Sequence, residues 1–236
     1  MATTNVTAGL QGTVGIFGFN IANFSAIRNA SSGSFAQTFS SQSDQGSAIT
    51  VSFESARFGN SGEISRAFVF FDLDSISTTI TALSLQVTGV SNSSSSVIPV
   101  KASAWGGNGS TTSLNNASFN DLSFSNTYAS SISNWNSSGQ NSFTLNNSAI
   151  SDANNNGYLN VALINSTADQ PGTTPSFPNN PATAGIVFKK TSAPIRLVVT
   201  HADAGYGNEV NGVAGSDINT VIGVSSANIA RVIGVP

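Results

Sequence analysis

Residues 64–73 contain the run Ala67-Phe68-Val69-Phe70-Phe71, with apolar side chains at five successive positions. Successive side chains of a strand point to opposite faces. A strand here is apolar on both faces and must be covered on both, which places it at the centre of a layered protein. Shorter segments around it carry the alternation of half-buried strands. Residues 47–55 alternate through Ile49, Val51 and Phe53, and residues 80–90 through Ile80, Ala82, Leu83, Leu85 and Val87. Residues 97–105, 141–145, 158–164, 185–189 and 195–200 complete the set, and Ile150 marks a single helical turn over 148–153 capped by Asn147. About eight strands with polar turns, little helix and no βα alternation predict an all-β antiparallel sandwich.

Charged residues make up 8% of the 236, against roughly 25% in an ordinary soluble protein. Ser, Thr, Asn and Gly fill the deficit, while 39% hydrophobic residues, including 15 Phe, suffice for a core. The basic residues Arg28, Arg57, Arg66, Lys101, Lys189, Lys190, Arg196 and Arg231 are scattered. Binding nucleic acid calls for a clustered positive stripe, so no nucleic-acid partner is expected. No apolar run approaches the ~20 residues of a membrane-spanning helix, and membrane insertion is not expected. With no cysteine, stability has to come from packing or assembly. Met1-Ala2-Thr3-Thr4-Asn5 lacks the basic and apolar regions of a secretory signal. Asn-x-Ser/Thr triplets at Asn23, Asn29, Asn108, Asn136 and Asn165 are what chance supplies in so Asn- and Ser-rich a chain.

Three regions follow. Residues 1–46 are Gly/Ser/Asn-rich with periodic Phe; Gly15-Ile16-Phe17-Gly18-Phe19 could be a strand, but without clear alternation the region is read as an N-terminal arm or irregular first layer. Residues 47–204 form the sandwich, with a long polar segment at 106–139 and a proline-rich surface loop at 169–181. Residues 205–236 form a tail that repeats: Val210-Asn211-Gly212-Val213 returns as Val221-Ile222-Gly223-Val224 and as Val232-Ile233-Gly234-Val235, with Ile218 and Ile229 between them. An apolar period of eleven residues does not suit a strand, which alternates every second residue. Short repeated units cannot bury their own apolar side, so Val210, Val213, Ile218, Val221, Val224, Ile229, Val232 and Val235 are expected to dock on another subunit.

Ser65-Arg66-Ala67-Phe68-Val69-Phe70-Phe71-Asp72-Leu73-Asp74-Ser75-Ile76, then Thr79-Ile80-Thr81-Ala82-Leu83-Ser84-Leu85, closed by Ile195-Arg196-Leu197-Val198-Val199-Thr200, form a recognisable set. Over roughly residues 47–200 the chain resembles the jelly-roll modules, akin to carbohydrate-binding modules, of bacterial surface proteins and tailed-phage structural proteins. The terminal repeats are similar to C-terminal stretches of tailed-phage virion proteins. Residues 1–45 and 106–139 have no counterpart in that pattern. The resemblance implies a jelly-roll form of the sandwich and a protein made without a signal in the host cytoplasm and carried in the virion.

The residues that could carry chemistry are few. His201 stands alone at a strand end, and no Gly-x-Ser-x-Gly elbow supplies a nucleophile. Among Glu54, Glu63, Asp72, Asp74 and Asp121 nothing pairs two carboxylates across a cleft. Asp72 and Asp74 are expected to accept backbone N–H groups in the following turn, with calcium as the alternative. Arg66 is expected to pair with one of them or with Glu63. No catalytic residue, cofactor or metal is expected. Sugar binding would draw on aromatic platforms with amide neighbours: Trp105 or Tyr158, or above all Trp135 and Tyr128 with Asn134 and Asn136. The expected function is that of a non-enzymatic bacteriophage virion protein, displayed on capsid or tail and assembled through its terminal segments with other virion proteins and copies of itself. The alternative is a carbohydrate-binding adhesion module that contacts host glycans.

Overall fold

The computed structural model describes residues 1–20, 23–39, 45–56, 59–93, 96–105, 113–174, 182–188, 194–202, 220–221 and 224–225. For residues 19, 45–56, 59–61, 90–93, 182–188, 220–221 and 224–225 it describes the backbone alone. Strands dominate: β1 (Ala2–Thr7), β2 (Leu10–Phe19), β3 (Phe35–Phe39), β4 (Gln45–Ala56), β5 (Gly59–Asp72), β6 (Ile80–Ser93), β7 (Val97–Ala102), β8 (Leu122–Thr127), β9 (Gln140–Thr144), β10 (Tyr158–Asn165), β11 (Ala182–Phe188), β12 (Arg196–His201), β13 (Thr220–Val221) and β14 (Val224–Ser225). Two helices, α1 (Phe24–Arg28) and α2 (Asn147–Asn156), and a 3-10 turn at Asn116–Asn120 complete the described elements.

All strand pairs are antiparallel. One sheet runs β9-β6-β12-β1 and the other β3-β2-β5-β10-β7-β8. β4 and β11 join them, because β11 pairs with the end of β6 and with β4, which pairs in turn with the start of β5. The molecule is an all-β sandwich. Between the sheets lie Ala67, Val69 and Phe71 of β5, Leu83, Leu85 and Val87 of β6, Leu159, Val161 and Leu163 of β10, and Leu197 and Val199 of β12. The opposite face of the larger sheet carries a second core of Ile64, Phe68, Phe70, Ile98, Val100, Ala162 and Ile164, capped by Phe24, Leu114 and Phe119. β5 is thus apolar and covered on both faces, as its sequence requires. Phe68 and Phe71 are fully buried, each stabilising the fold by roughly 1.5–3 kcal/mol.

Residues 1–46 depart from expectation. They are no arm: β1 pairs with β12 along all six residues, from Ala2↔His201 to Thr7↔Arg196. β2 lies between β3 and β5 inside the larger sheet. From Gln11 to Ile16 β2 lacks alternation because both of its faces are covered, burying even Gln11 and Thr13, whereas Phe17 beyond them is exposed. A Cβ on Gly12 would lie 2.3 Å from the Gln37 carbonyl oxygen, so the strand carries glycine where its neighbour approaches closely. The domain boundary expected at residue 46 therefore does not exist.

The helix is also longer than one turn, and its cap is Asn146 rather than Asn147. The Asn146 side chain accepts from the N–H of Ser148 and of Ala149 at 3.0 and 3.2 Å, satisfying first-turn donors. Gly157, at φ 72°, ends the helix in the left-handed conformation. Ala149 and Ala153, one turn apart, are its buried face.

Candidate functional site

Arg66 lies in the middle of β5 and is completely buried. Its side chain shares the strand face of Ile64, Phe68 and Phe70, in the second core. Asp72 is six residues farther along, about 20 Å in an extended strand, and Glu63 belongs to the opposite face. The partner is instead Asp169. Arg66 Nε donates to Asp169 Oδ2 at 2.9 Å and Nη2 to Oδ1 at 2.8 Å, a bidentate contact. Nη1 donates to the Phe119 carbonyl at 2.6 Å, Nη2 also to the Arg28 carbonyl at 2.8 Å, and the guanidinium lies 4.0 Å from the Phe119 ring centre. Asp169 was expected to open an exposed loop. It is buried because an Asx turn directs it inward, the Asn165 side chain accepting from the N–H of Thr167 and of Ala168 at 2.9 and 2.8 Å. Arg28 covers the pair from outside, donating to the Asp169 carbonyl and to the Gln170 carbonyl and stacking 3.5 Å from the Phe124 ring centre. Burial lowers the Arg28 pKa from its ordinary value, with Asp169 opposing and Arg66 adding to the effect. With every guanidinium nitrogen of Arg66 engaged, this cluster locks α1, the 3-10 turn and the turn after β10 onto one strand.

The expected sugar platform does not form. Trp135 is 4% exposed and Tyr128 1% exposed, both within the core between the sheets. In a segment rich in Ser, Thr and Asn, these rings are among the apolar anchors that hold it to the sandwich, and burying them outweighs displaying them. Gly89 leaves room for Trp135, whose Nε1 would lie 2.7 Å from a Cβ there. Asn134 and Asn136 are exposed, but Asn136 is occupied with its own turn. Its Oδ1 accepts from the Ser138 N–H at 3.1 Å, and its N–H donates to Asn141 Oδ1 at 2.8 Å. Trp105 is also buried, in the second core.

Tyr128 nevertheless contributes to a polar group reaching the surface. Its hydroxyl donates to Asp152 Oδ2 at 2.6 Å, and Lys101 Nζ lies 2.8 Å from Oδ1 and 2.8 Å from Oδ2 of the same carboxylate. Burial opposes the Asp152 charge, yet the hydrogen bonds from Lys101 and Tyr128 outweigh it and hold the pKa below the ordinary value. Burial, then the hydrogen bond to Asp152, push the Tyr128 hydroxyl well above its ordinary value. Sequence reading did not single out Lys101 or Asp152. The signal was the rarity of charge itself, since a lysine within an otherwise apolar strand of so weakly charged a chain implies a partner.

His201 joins three segments. Its Nε2 is 3.1 Å from Thr4 Oγ1 and its Nδ1 2.8 Å from Thr78 Oγ1. Asp72 Oδ1 accepts from the Asp74 N–H at 3.0 Å, the turn-capping role expected of Asp72. Among the described residues no group of three or more His, Asp or Glu side chains is placed to hold a metal ion, and no helix is long and apolar enough to cross a membrane. Of the tail, Val210, Val213, Ile218, Ile229, Val232 and Val235 lie outside the described residues. Val221 and Val224 face each other across the β13–β14 pair, which forms a two-stranded sheet of its own. Comparison with models of known protein families and with curated proteins finds no match.

Proposed function

We propose that this chain is a non-enzymatic structural protein of a tailed-bacteriophage virion, a jelly-roll-type sandwich carried on capsid or tail as a decoration, collar or fibre component. Its partners are other virion proteins and further copies of itself, and its place is the virion. The observation that carries this reading is the relation of the tail to the body. β12 has β1 on one side and β6 on the other, so no place beside it remains for a later strand. The described tail residues pair only with each other, β13 with β14. Repeated apolar units of this kind cannot bury their own apolar side, and the proposal gives them another subunit's surface to cover them. The low charge suits a static, crowded assembly in which shape and hydrogen bonds give specificity. Because β1 and β2 belong to the body, the reading narrows attachment to the C-terminal segment.

The test is the solution mass of the full chain against a truncation after Gly207 and against the full-length variant Val210→Asp/Val221→Asp/Val232→Asp. The expected result is a defined oligomer for the full chain and folded monomers for the other two. A full chain as monomeric as its variants removes self-assembly through the tail from the proposal.

A further inference from the structure

β7 and β10 run paired from Val97↔Asn165 to Val161↔Lys101 and then part. Beyond that point Tyr158, Leu159 and Asn160 stay on β5, whereas the Ser103 N–H donates to the Asp121 carbonyl at 2.8 Å and leads the chain away. The parting strands open a cavity of about 250 Å³ lined by Lys101, Ser103, Asp152, Asn156, Tyr158 and Asn160. A second cavity, of about 330 Å³ along the N-terminal half of α2, shares Asp152 with the first. Small-molecule sites are concave and carry a few convergent polar groups. Here those groups come from the two parting strands, from Ser103 just beyond β7 and from α2.

The lining selects the chemistry of a ligand. Lys101 and Asp152 cancel in charge, and the other polar groups are hydroxyls and amides. An anion entering the cleft would meet the carboxylate, and a cation the ammonium. An ammonium has three N–H bonds and a carboxylate about four lone-pair sites. Lys101 donates to Asp152 Oδ1 and lies equally close to Oδ2, and Tyr128 donates to Oδ2. Donor capacity on Lys101 and acceptor capacity on Asp152 remain side by side. Two neighbouring hydroxyls of a sugar ring fit that arrangement, one accepting from Lys101 and the other donating to Asp152. The Tyr158 ring, half-buried and 6.0 Å from Phe70 between ring centres, forms a stiff flank with an apolar body and a polar tip. Because the buried Tyr128 hydroxyl already orients Asp152, little ordering remains to oppose binding.

We propose that this cleft binds a neutral saccharide, with Lys101 and Asp152 holding a pair of adjacent hydroxyls and Tyr158 flanking the ring. The site uses the body alone, so it stands or falls independently of the tail. It also lies apart from Trp135, the platform that the sequence favours.

The experiment is ligand-observed saturation-transfer NMR on the full chain, with the methyl glycosides of glucose, galactose and N-acetylglucosamine as probes and glycerol as the polyol control. At least one glycoside is expected to bind saturably, at least tenfold more weakly to Lys101→Met and to Asp152→Asn, with glycerol giving no saturable signal. Asn156→Ala, outside the Tyr128 contact, is expected to weaken binding in the same direction and keeps the test valid if Asp152→Asn does not fold. The proposal is overturned if no glycoside saturates, if glycerol behaves as the glycosides do, or if Lys101→Met binds as the wild type does. Loss of binding in Asn134→Ala with Lys101→Met unaffected would also overturn it, in favour of the Trp135 turn.

Discussion

Asp169 and Arg66 illustrate how much one residue decides in a chain with so few charges. Each is fully buried, and the two meet in a bidentate pair. Removing one partner of a buried pair leaves an uncompensated charge, which costs about 3–5 kcal/mol. Asp169→Asn is therefore expected to lower the unfolding free energy by that amount in urea titrations, and Arg66→Met/Asp169→Leu to lose less than the single change. The Lys101–Asp152–Tyr128 group sets the response to pH. Asp152 has a folded pKa below its unfolded value, so its contribution is complete above about pH 4 and is lost as pH falls through the depressed value. Tyr128 has a raised pKa, so the unfolded state gives up its proton first and stability declines as pH rises past about 10. Absorbance at 295 nm should show Tyr128 ionising only as the protein unfolds, and Tyr128→Phe should remove that alkaline loss. The presence of an arginine inside an apolar strand was legible in the sequence. Its partner was not, because 103 positions separate the two and no local pattern records which residue a later turn carries inward.

Among the elements, α2 depends on its ends more than on its interior, which is rich in Asn and Ser. Asn146→Ala removes the acceptor for two first-turn N–H groups and is expected to cost about 1 kcal/mol. Gly157→Ala forces a side chain into the left-handed conformation at φ 72°, for a loss of roughly 1–2 kcal/mol. Thermal unfolding followed by circular dichroism measures both. The helix runs past the one turn expected because Asn154 is tied to the start of β6, donating to the Ile80 carbonyl at 2.9 Å and accepting from its N–H at 2.8 Å. That contact bridges 74 positions, and helix propensity does not anticipate it. β2, of which only Gly15–Phe19 suggested a strand, was read as part of an arm for a different reason. Alternation reveals a strand with one wet face, and from Gln11 to Ile16 β2 has none.

For the molecule as a whole, the two cores share one sheet, with β5 and β10 between them. Hydrogen exchange should therefore be slowest for the amides of these two strands and faster in β1 and β3, since core strands open only with global unfolding. The proposed tail-dependent assembly is tested separately: the Val210→Asp/Val221→Asp/Val232→Asp variant is expected to keep the urea midpoint of the truncated body while losing the oligomer. A midpoint that falls with the oligomer would make the tail part of the fold rather than an attachment to it.

By itself the sequence determined the strand-rich class, the doubly covered central strand, the positions of most strands after residue 47, and the repeat that sets the tail apart. All of these are written in the spacing of apolar side chains along a few residues, which depends only on which faces of an extended chain avoid water. The tertiary structure decided the rest: that residues 2–19 enter the sheets, that Arg66 meets Asp169, that Trp135 and Tyr128 turn inward, and that Lys101 and Asp152 share a cleft. Each of these depends on which segments become neighbours. A large aromatic ring between polar residues serves equally as a platform or an anchor until packing offers it a core, and here the space between the two sheets took it.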